Sequence, residues 1–176
     1  IVDLGILKDD EKVISSFYEK NISKFDLIIS SGGSSSSNKD FISKFLEKKS
    51  KIIFKYIKIK PGRPSIFSSY KKSFLFSLPG NPLAVSINLV FVVSEFLNIF
   101  SFGKSIVCKE VFSGFSIKKN KDFNNFYRVK IDNKNVAYLF NSKGSAKLIS
   151  LSNADGLVEV PNNCDTVNKG DKLKLF

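Results

Sequence analysis

Short apolar runs of strand length alternate with amphipathic helical patterns through the first half of this chain, and that alternation restricts its fold more than any other feature. The runs are residues 1–7, 26–30, 52–59 and 74–78. Runs so short and so continuously apolar suit strands covered on both faces, as in parallel sheets. After the first run, Asp9, Asp10 and Glu11 stand where the first turn of a helix favours negative charge, with Val13, Ile14 and Phe17 as its apolar face. A second helix, from about Asp40 to Lys49, turns Phe41, Ile42, Phe45 and Leu46 inward. Strands alternating with helices predict an α/β fold, a parallel sheet with flanking helices.

Pro79 and Gly80 close the fourth run, Asn81 is a good helix cap and Pro82 a good first helical residue, so a long apolar helix is expected to about Phe100. The stretch barely reaches the roughly 20 residues of a bilayer span and carries Ser86, Asn88, Ser94 and Glu95, so no membrane is expected. A helix apolar on most of its circumference is buried, and a partner subunit is one thing that could bury it. From Gly103 onward short runs at 126–131, 136–140, 147–151 and 156–160 alternate with Asn, Gly and Lys turns, which reads as a small β-rich, barrel-like domain. The expected division is 1–100 for the α/β domain and 101–176 for the β-rich one.

The chain has no histidine, which excludes imidazole acid–base chemistry, Ser-His-Asp and Cys-His nucleophiles and imidazole metal ligation. Cys108 and Cys164 lie far apart and form no Cys-x-x-Cys pair, so neither a disulfide framework nor a zinc site is signalled, and a cytoplasmic protein is expected. The formal charge of +12 comes from scattered lysines in a chain rich in Lys, Asn, Phe, Ile and Ser, so no nucleic acid partner is expected. With no methionine in it, the chain is expected to be a piece of a longer one.

In open α/β sheets ligands bind beyond the carboxyl ends of the strands, where loops converge and helix N-termini present their amides. Asp9 follows the first run, Gly32, Gly33 and Asp40 the second, Lys60 to Arg63 the third, and Pro79 to Pro82 the fourth. If the first two strands are neighbours, Asp9 and Asp40 converge. Two carboxylates beside cationic side chains suit a hydrated Mg²⁺ bound with a phosphate, with Lys60 and Arg63 meeting the anion. Each residue also has a plainer use: a tight turn for the glycines, a cap for the aspartates, a helix start for the prolines.

These blocks resemble the molybdopterin molybdenumtransferase family of molybdenum cofactor biosynthesis, which includes the E domain of gephyrin. The matching motifs are Asp3-Leu4-Gly5-Ile6 with Asp9-Asp10, the run 26–33 continuing to Asp40, Lys60-Pro61-Gly62-Arg63-Pro64, and Leu78-Pro79-Gly80-Asn81-Pro82. In the tail, Phe126-Tyr127-Arg128, Lys143-Gly144-Ser145, Asn153-Ala154-Asp155-Gly156-Leu157 and Lys169-Gly170-Asp171 also fit.

The resemblance implies insertion of molybdate into adenylylated molybdopterin with release of AMP, dependence on a divalent cation taken as Mg²⁺, and a homodimer. It implies Asp40 and Lys60 as catalytic, Asp9 and Asp40 as metal-handling, and Gly32, Gly33, Ser35, Arg63, Pro79, Gly80, Asn81, Pro82, Arg128 and Ser145 as substrate-binding. Tyr56 stands where the family has a second basic residue, with Lys55 and Lys58 beside it. The family also carries upstream subdomains and a further strand and helix before the position of Ile1, so the isolated chain is expected to be an incomplete enzyme. An inactive fragment or a non-catalytic scaffold of the same fold is the alternative, and a basic nucleic-acid binder a third reading.

Overall fold

The computed structural model describes residues 1–32, 40–140 and 149–176. They divide into two units, one formed by Ile1–Ile57 and Pro64–Asn81, the other by Lys58–Arg63 and Pro82–Phe176.

In the first unit, α1 (Glu11–Asn21) begins at Asp10, whose carboxylate accepts the N–H groups of Lys12 at 2.9 Å and Val13 at 3.0 Å. Such a cap satisfies backbone donors that the helix itself leaves open. Ile14 and Tyr18, one turn apart, are its buried residues, while Val13 is exposed. Strand β1 (Leu27–Ser31) leads to α2 (Phe41–Lys49), which buries Ile42, Phe45 and Leu46 and ends on Lys48 and Lys49, where positive charge complements the helix dipole. The two helices meet through the rings of Tyr18 and Phe45, stacked with centroids 5.2 Å apart. Ile28, Ile66 and Leu75 complete the core from the sheet.

The sheet adds β2 (Lys51–Lys55), β4 (Ile66–Tyr70) and β5 (Ser73–Leu78), in the order β1-β5-β4-β2. Only β1 and β5 run parallel; β4 joins β5 and β2 joins β4 antiparallel. The parallel expectation therefore holds for the pair β1 and β5, and the hairpin turning at Lys71 (φ 53°) makes the rest mixed. Phe54, Phe67, Phe74 and Phe76 pack together, with Phe67 and Phe76 stacked at 4.2 Å. Since successive strand residues face opposite ways, Leu75 enters the helix-side core while Phe74 and Phe76 belong to this second cluster, which explains the continuous apolar runs.

Two sequence expectations fail here. Residues 1–7 form no strand, and Ile1, Val2 and Ile6 are exposed. Residues 52–59 are not one strand: β2 stops at Lys55, Tyr56 takes a left-handed conformation (φ 64°), and Ile59–Lys60 form β3 in the second unit.

In the second unit, a helix starts at Pro82 as predicted and runs as α3 (Pro82–Asn88), a π-helical turn (Leu89–Val93) and α4 (Ser94–Phe102), ending at left-handed Gly103, whose N–H bonds Ile99 O at 2.9 Å. Ala84, Ile87, Asn88 and Val93 are buried, whereas Leu97, Ile99, Phe100 and Phe102 are exposed. The expectation of burial over most of its circumference therefore does not hold within this chain. Its 21 residues, with mean hydropathy 2.0, are by length and composition enough to cross a membrane.

The remaining strands are β6 (Lys109–Ser113), β7 (Ile117–Lys118), β8 (Asn124–Ile131), β9 (Val136–Leu139), β10 (Gly156–Val160), β11 (Thr166–Val167) and β12 (Lys172–Leu175). β10, β12, β6, β9 and β8 pair in that order, and β8 pairs back to β10, which closes a five-stranded barrel. Closure leaves no open edge in the ring. Val111, Val129, Ala137, Val158, Val160 and Leu173 fill it. β3 pairs parallel with β8, and β11 pairs with β7. Residues 149–151, read as the end of the run 147–151, lie instead in the helical turn α5 (Ile149–Ser152).

Candidate functional site

In the first unit the expected edge forms where β1 and β5 end side by side. Ser31 is in register with Leu78, and the next N–H, of Gly32, donates to Leu78 O at 3.1 Å. Gly32 has φ 84°, a conformation that side chains rarely adopt. A Cβ on Gly80 would lie 3.5 Å from Gly32 Cα, so the turns after the two strands are packed backbone to backbone. Pro79 is buried beside them, while Gly80 and Asn81 are exposed. The structure thus brings Gly32, Pro79, Gly80 and Asn81 to one edge. Gly33 and Ser35 lie outside the described residues, as does Ser145.

Asp40 caps α2 and is 8% exposed. Its Oδ1 accepts Ser43 N–H at 2.8 Å and its Oδ2 accepts the Ser43 hydroxyl at 2.5 Å. Asp9 is exposed, one residue before the capping Asp10. The condition under which Asp9 and Asp40 were expected to converge, a strand over 1–7 beside β1, is not met, because β1 pairs with β5 and residues 1–7 pair with nothing described. Among the described residues no three His, Cys, Asp or Glu side chains cluster as a metal site would require.

Of the two lysines beside Tyr56, Lys55 is committed to α2. Its ammonium forms a short ion pair with Glu47, and that hydrogen bond raises its pKa against the opposing effect of burial. The strand also slips register between Ile52 and Phe54, the kind of shift that re-aims side chains.

The other expected residues belong to the second unit. Lys60 lies on β3, in register with Asn125 of β8, and is exposed. The Lys60-Pro61 bond is cis, and Gly62, at φ 125°, is buried. Arg63 sets its guanidinium 6.0 Å from the Phe123 ring centroid, within cation–π range. Arg128, half-buried on β8 opposite Leu157, has its carbonyl bonded to Phe140 N–H at 2.8 Å. Pro82 serves as the first residue of α3.

Asn88 has no place among the expected residues. It is wholly buried, and its Nδ2 donates to Gly62 O at 3.1 Å and Ala84 O at 2.8 Å. A polar residue within an apolar helix was the only signal in the sequence, and its partner lies 26 residues away.

Residues 1–98 match the family described as the probable molybdopterin binding domain, and residues 111–175 match the MoeA C-terminal region, domain IV. The first match covers more than half of the chain, and the chain belongs to that molybdopterin-binding-domain family. Proteins named molybdopterin molybdenumtransferase are among its relatives, as the motifs lead one to expect. The transferase of Haemophilus influenzae is 34% identical over 97 residues, 55% of this chain and 24% of that protein. That of Synechocystis is 28% identical over 99% of this chain and 44% of its own length, and gephyrin of Dictyostelium discoideum 27% over 98% and 28%. The molybdopterin biosynthesis MoeA protein from Pyrococcus horikosii superposes with a TM-score of 0.78 at 25% identity, over 97% of this chain and 42% of that one. The chain therefore spans less than half the length of these relatives.

Proposed function

We propose that this chain is the part of a molybdopterin molybdenumtransferase that handles adenylylated molybdopterin and molybdate, the phosphoanhydride being cleaved as molybdate is inserted and AMP released. The observation that carries this reading is the packed pair of glycine turns, Gly32 against Gly80, at the carboxyl ends of the parallel strands β1 and β5 in a chain of the matching family. Turns without side chains let backbone amides approach a phosphate closely.

Gly32, Gly33, Ser35, Pro79, Gly80, Asn81 and Pro82 are assigned to substrate binding. Lys60 and Arg63 supply fixed positive charge for the phosphates, Arg63 with the planar fork that matches them, and Arg128 and Ser145 are further substrate contacts. Asp40 and Lys60 are each assigned a catalytic role in this reading. Asp9 and Asp40 would hold Mg²⁺, which supplies charge neutralisation at the phosphates when bound. Their fit is one of donor type alone, since the strand over 1–7 that was to bring them together does not form: both are carboxylates, and the Ser43 bonds leave lone pairs on both Asp40 oxygens. The exposed apolar residues Leu97, Phe100 and Phe102 support a homodimer, and two free cysteines support a cytoplasmic setting.

The test is AMP release from adenylylated molybdopterin in the presence of molybdate, by the full gene product and its Lys60→Ala variant. Release by the wild type and its loss in the variant are expected; a wild type that neither binds the nucleotide nor releases AMP overturns the reading. Tyr56 in a basic residue's place and Lys55 engaged by Glu47 favour a second reading, a scaffold of the same fold that binds without turnover.

A further inference from the structure

The buried amide of Asn88 has a use that helix formation does not explain. A helix needs no side-chain donor in its interior, and a polar group is costly there unless its hydrogen bonds are made. Asn88 spends one donor on Ala84 O, a turn back in its own helix at 2.8 Å, and the other on Gly62 O at 3.1 Å, in the loop that presents Lys60 and Arg63. The fit on the loop side is tight. A Cβ on Gly62 would stand 2.4 Å from Asn88 Nδ2 and 3.0 Å from Ile59 Cδ1, and the backbone there, at φ 125°, disfavours any side chain. Glycine at 62 and asparagine at 88 are therefore two halves of one contact. The helix changes character at the same place, since the π-helical turn Leu89–Val93 begins at the following residue.

We infer that Asn88 is a positioning residue: its carboxamide holds the Gly62 carbonyl and thereby fixes the Lys60–Arg63 loop in the conformation that presents Lys60 Nζ and the Arg63 guanidinium to an anionic ligand. That the ligand is the adenylylated pterin rests on the function proposed above. The hold on the loop does not rest on it, because every residue of the contact lies in one unit. A hydrogen bond from a rigid buried amide costs the loop its freedom before the ligand arrives, so the ligand does not have to order it.

The experiment compares Asn88→Ser, Asn88→Leu and Asn98→Leu in the full gene product. A serine hydroxyl at 88 still reaches the carbonyl four residues back but is too short to bridge to Gly62. Asn98 makes the same kind of bond within the helix, to Ser94 O at 2.8 Å, and serves as the control for helix stability. Two quantities are read: the NMR amide resonances of Lys60, Gly62 and Arg63, and the affinity for adenylylated molybdopterin.

In Asn88→Ser and Asn88→Leu the loop resonances are expected to broaden or shift while those of Phe126 to Ile131 hold, and affinity to fall about tenfold. Adding Asn88→Ser to a variant carrying both Lys60→Ala and Arg63→Ala is expected to weaken binding no further than that pair alone, as for a residue acting through the two. Asn98→Leu is expected to leave both readouts at wild-type values. Loop resonances unchanged in Asn88→Ser, or moved equally by Asn98→Leu, overturn the inference. A wild type that does not bind the pterin overturns the proposed function, and the resonances still decide the role of Asn88.

Discussion

The rings of Phe91 and Phe126 lie with their centroids 3.8 Å apart, and Phe176, the last residue of the chain, meets Phe91 edge-on at 4.4 Å. Phe91 sits in the π-helical turn and Phe126 on β8, so one side chain ties the long helix to the barrel. Phe176 is held in turn by reciprocal backbone bonds with Leu157, both 2.9 Å.

Phe91→Ala is expected to destabilise the second unit by about 2 kcal/mol, less than truncation of a fully buried phenylalanine because the ring is only half-buried. Urea denaturation followed by tyrosine fluorescence measures it. A midpoint within error of the wild type would show that the three rings carry no net stabilisation.

Asp40 has a structural use that can be separated from the proposed chemical one. Asp40→Ala removes the acceptor of Ser43 N–H and hydroxyl and is expected to cost about 1 kcal/mol of stability. Asp40→Asn keeps a capping oxygen and is expected to melt close to the wild type while losing AMP release. Full activity in Asp40→Asn would leave the residue as a cap alone.

Ser77 is wholly buried on β5, and its hydroxyl has no hydrogen-bond partner among the described residues. Removing an unsatisfied buried hydroxyl relieves a desolvation penalty, so Ser77→Ala is expected to raise stability by about 1 kcal/mol. Thermal denaturation decides it, and a lowered melting temperature would contradict the assignment.

Three barrel carboxyls are held below the ordinary aspartate range: Asp132 by the Val136 N–H, Asp155 by the Lys130 ammonium and the Ile131 N–H, and Asp165 by Lys121. A carboxyl whose folded pKa is depressed contributes stability above its unfolded pKa, and that contribution disappears as pH falls through the folded value. Melting temperature is therefore expected to stay level from pH 7 to about 5 and to fall below about pH 4. Asp155→Asn should shallow that fall; an unchanged acid profile would remove Asp155 from the account.

Local signals made much of the first unit legible. Capping aspartates followed by apolar residues at helical spacing marked α1 and α2, and Pro82 marked the start of the long helix. What the sequence hid was decided by pairing. Residues 1–7 look like a strand, yet an apolar run becomes one only beside a partner. Strand β4 went unread because Ser68 and Ser69 interrupt its apolar character, although Ser68 is wholly buried once the hairpin closes. Residues 52–59 read as one strand because nothing in a tyrosine announces the left-handed turn at Tyr56. The edge formed by Gly32 and Gly80 was foreseeable because both turns follow the carboxyl ends of apolar strand runs, although the adjacency of β1 and β5 was not. The grip of Asn88 on Gly62 was not, since no local rule connects residues 26 apart.

The short stretch Lys58–Arg63 belongs with the barrel although the chain on either side of it belongs to the other unit. The C-terminal unit is consequently not a transferable cassette. A crossover between the codons of Asn81 and Pro82 would pass on the barrel without β3, leaving Asn124 and Asn125 without Ile59 and Lys60 beside them and Asn88 without the carbonyl it holds. Genetic exchange that keeps the β3–β8 pairing and the Asn88–Gly62 contact must carry both stretches together.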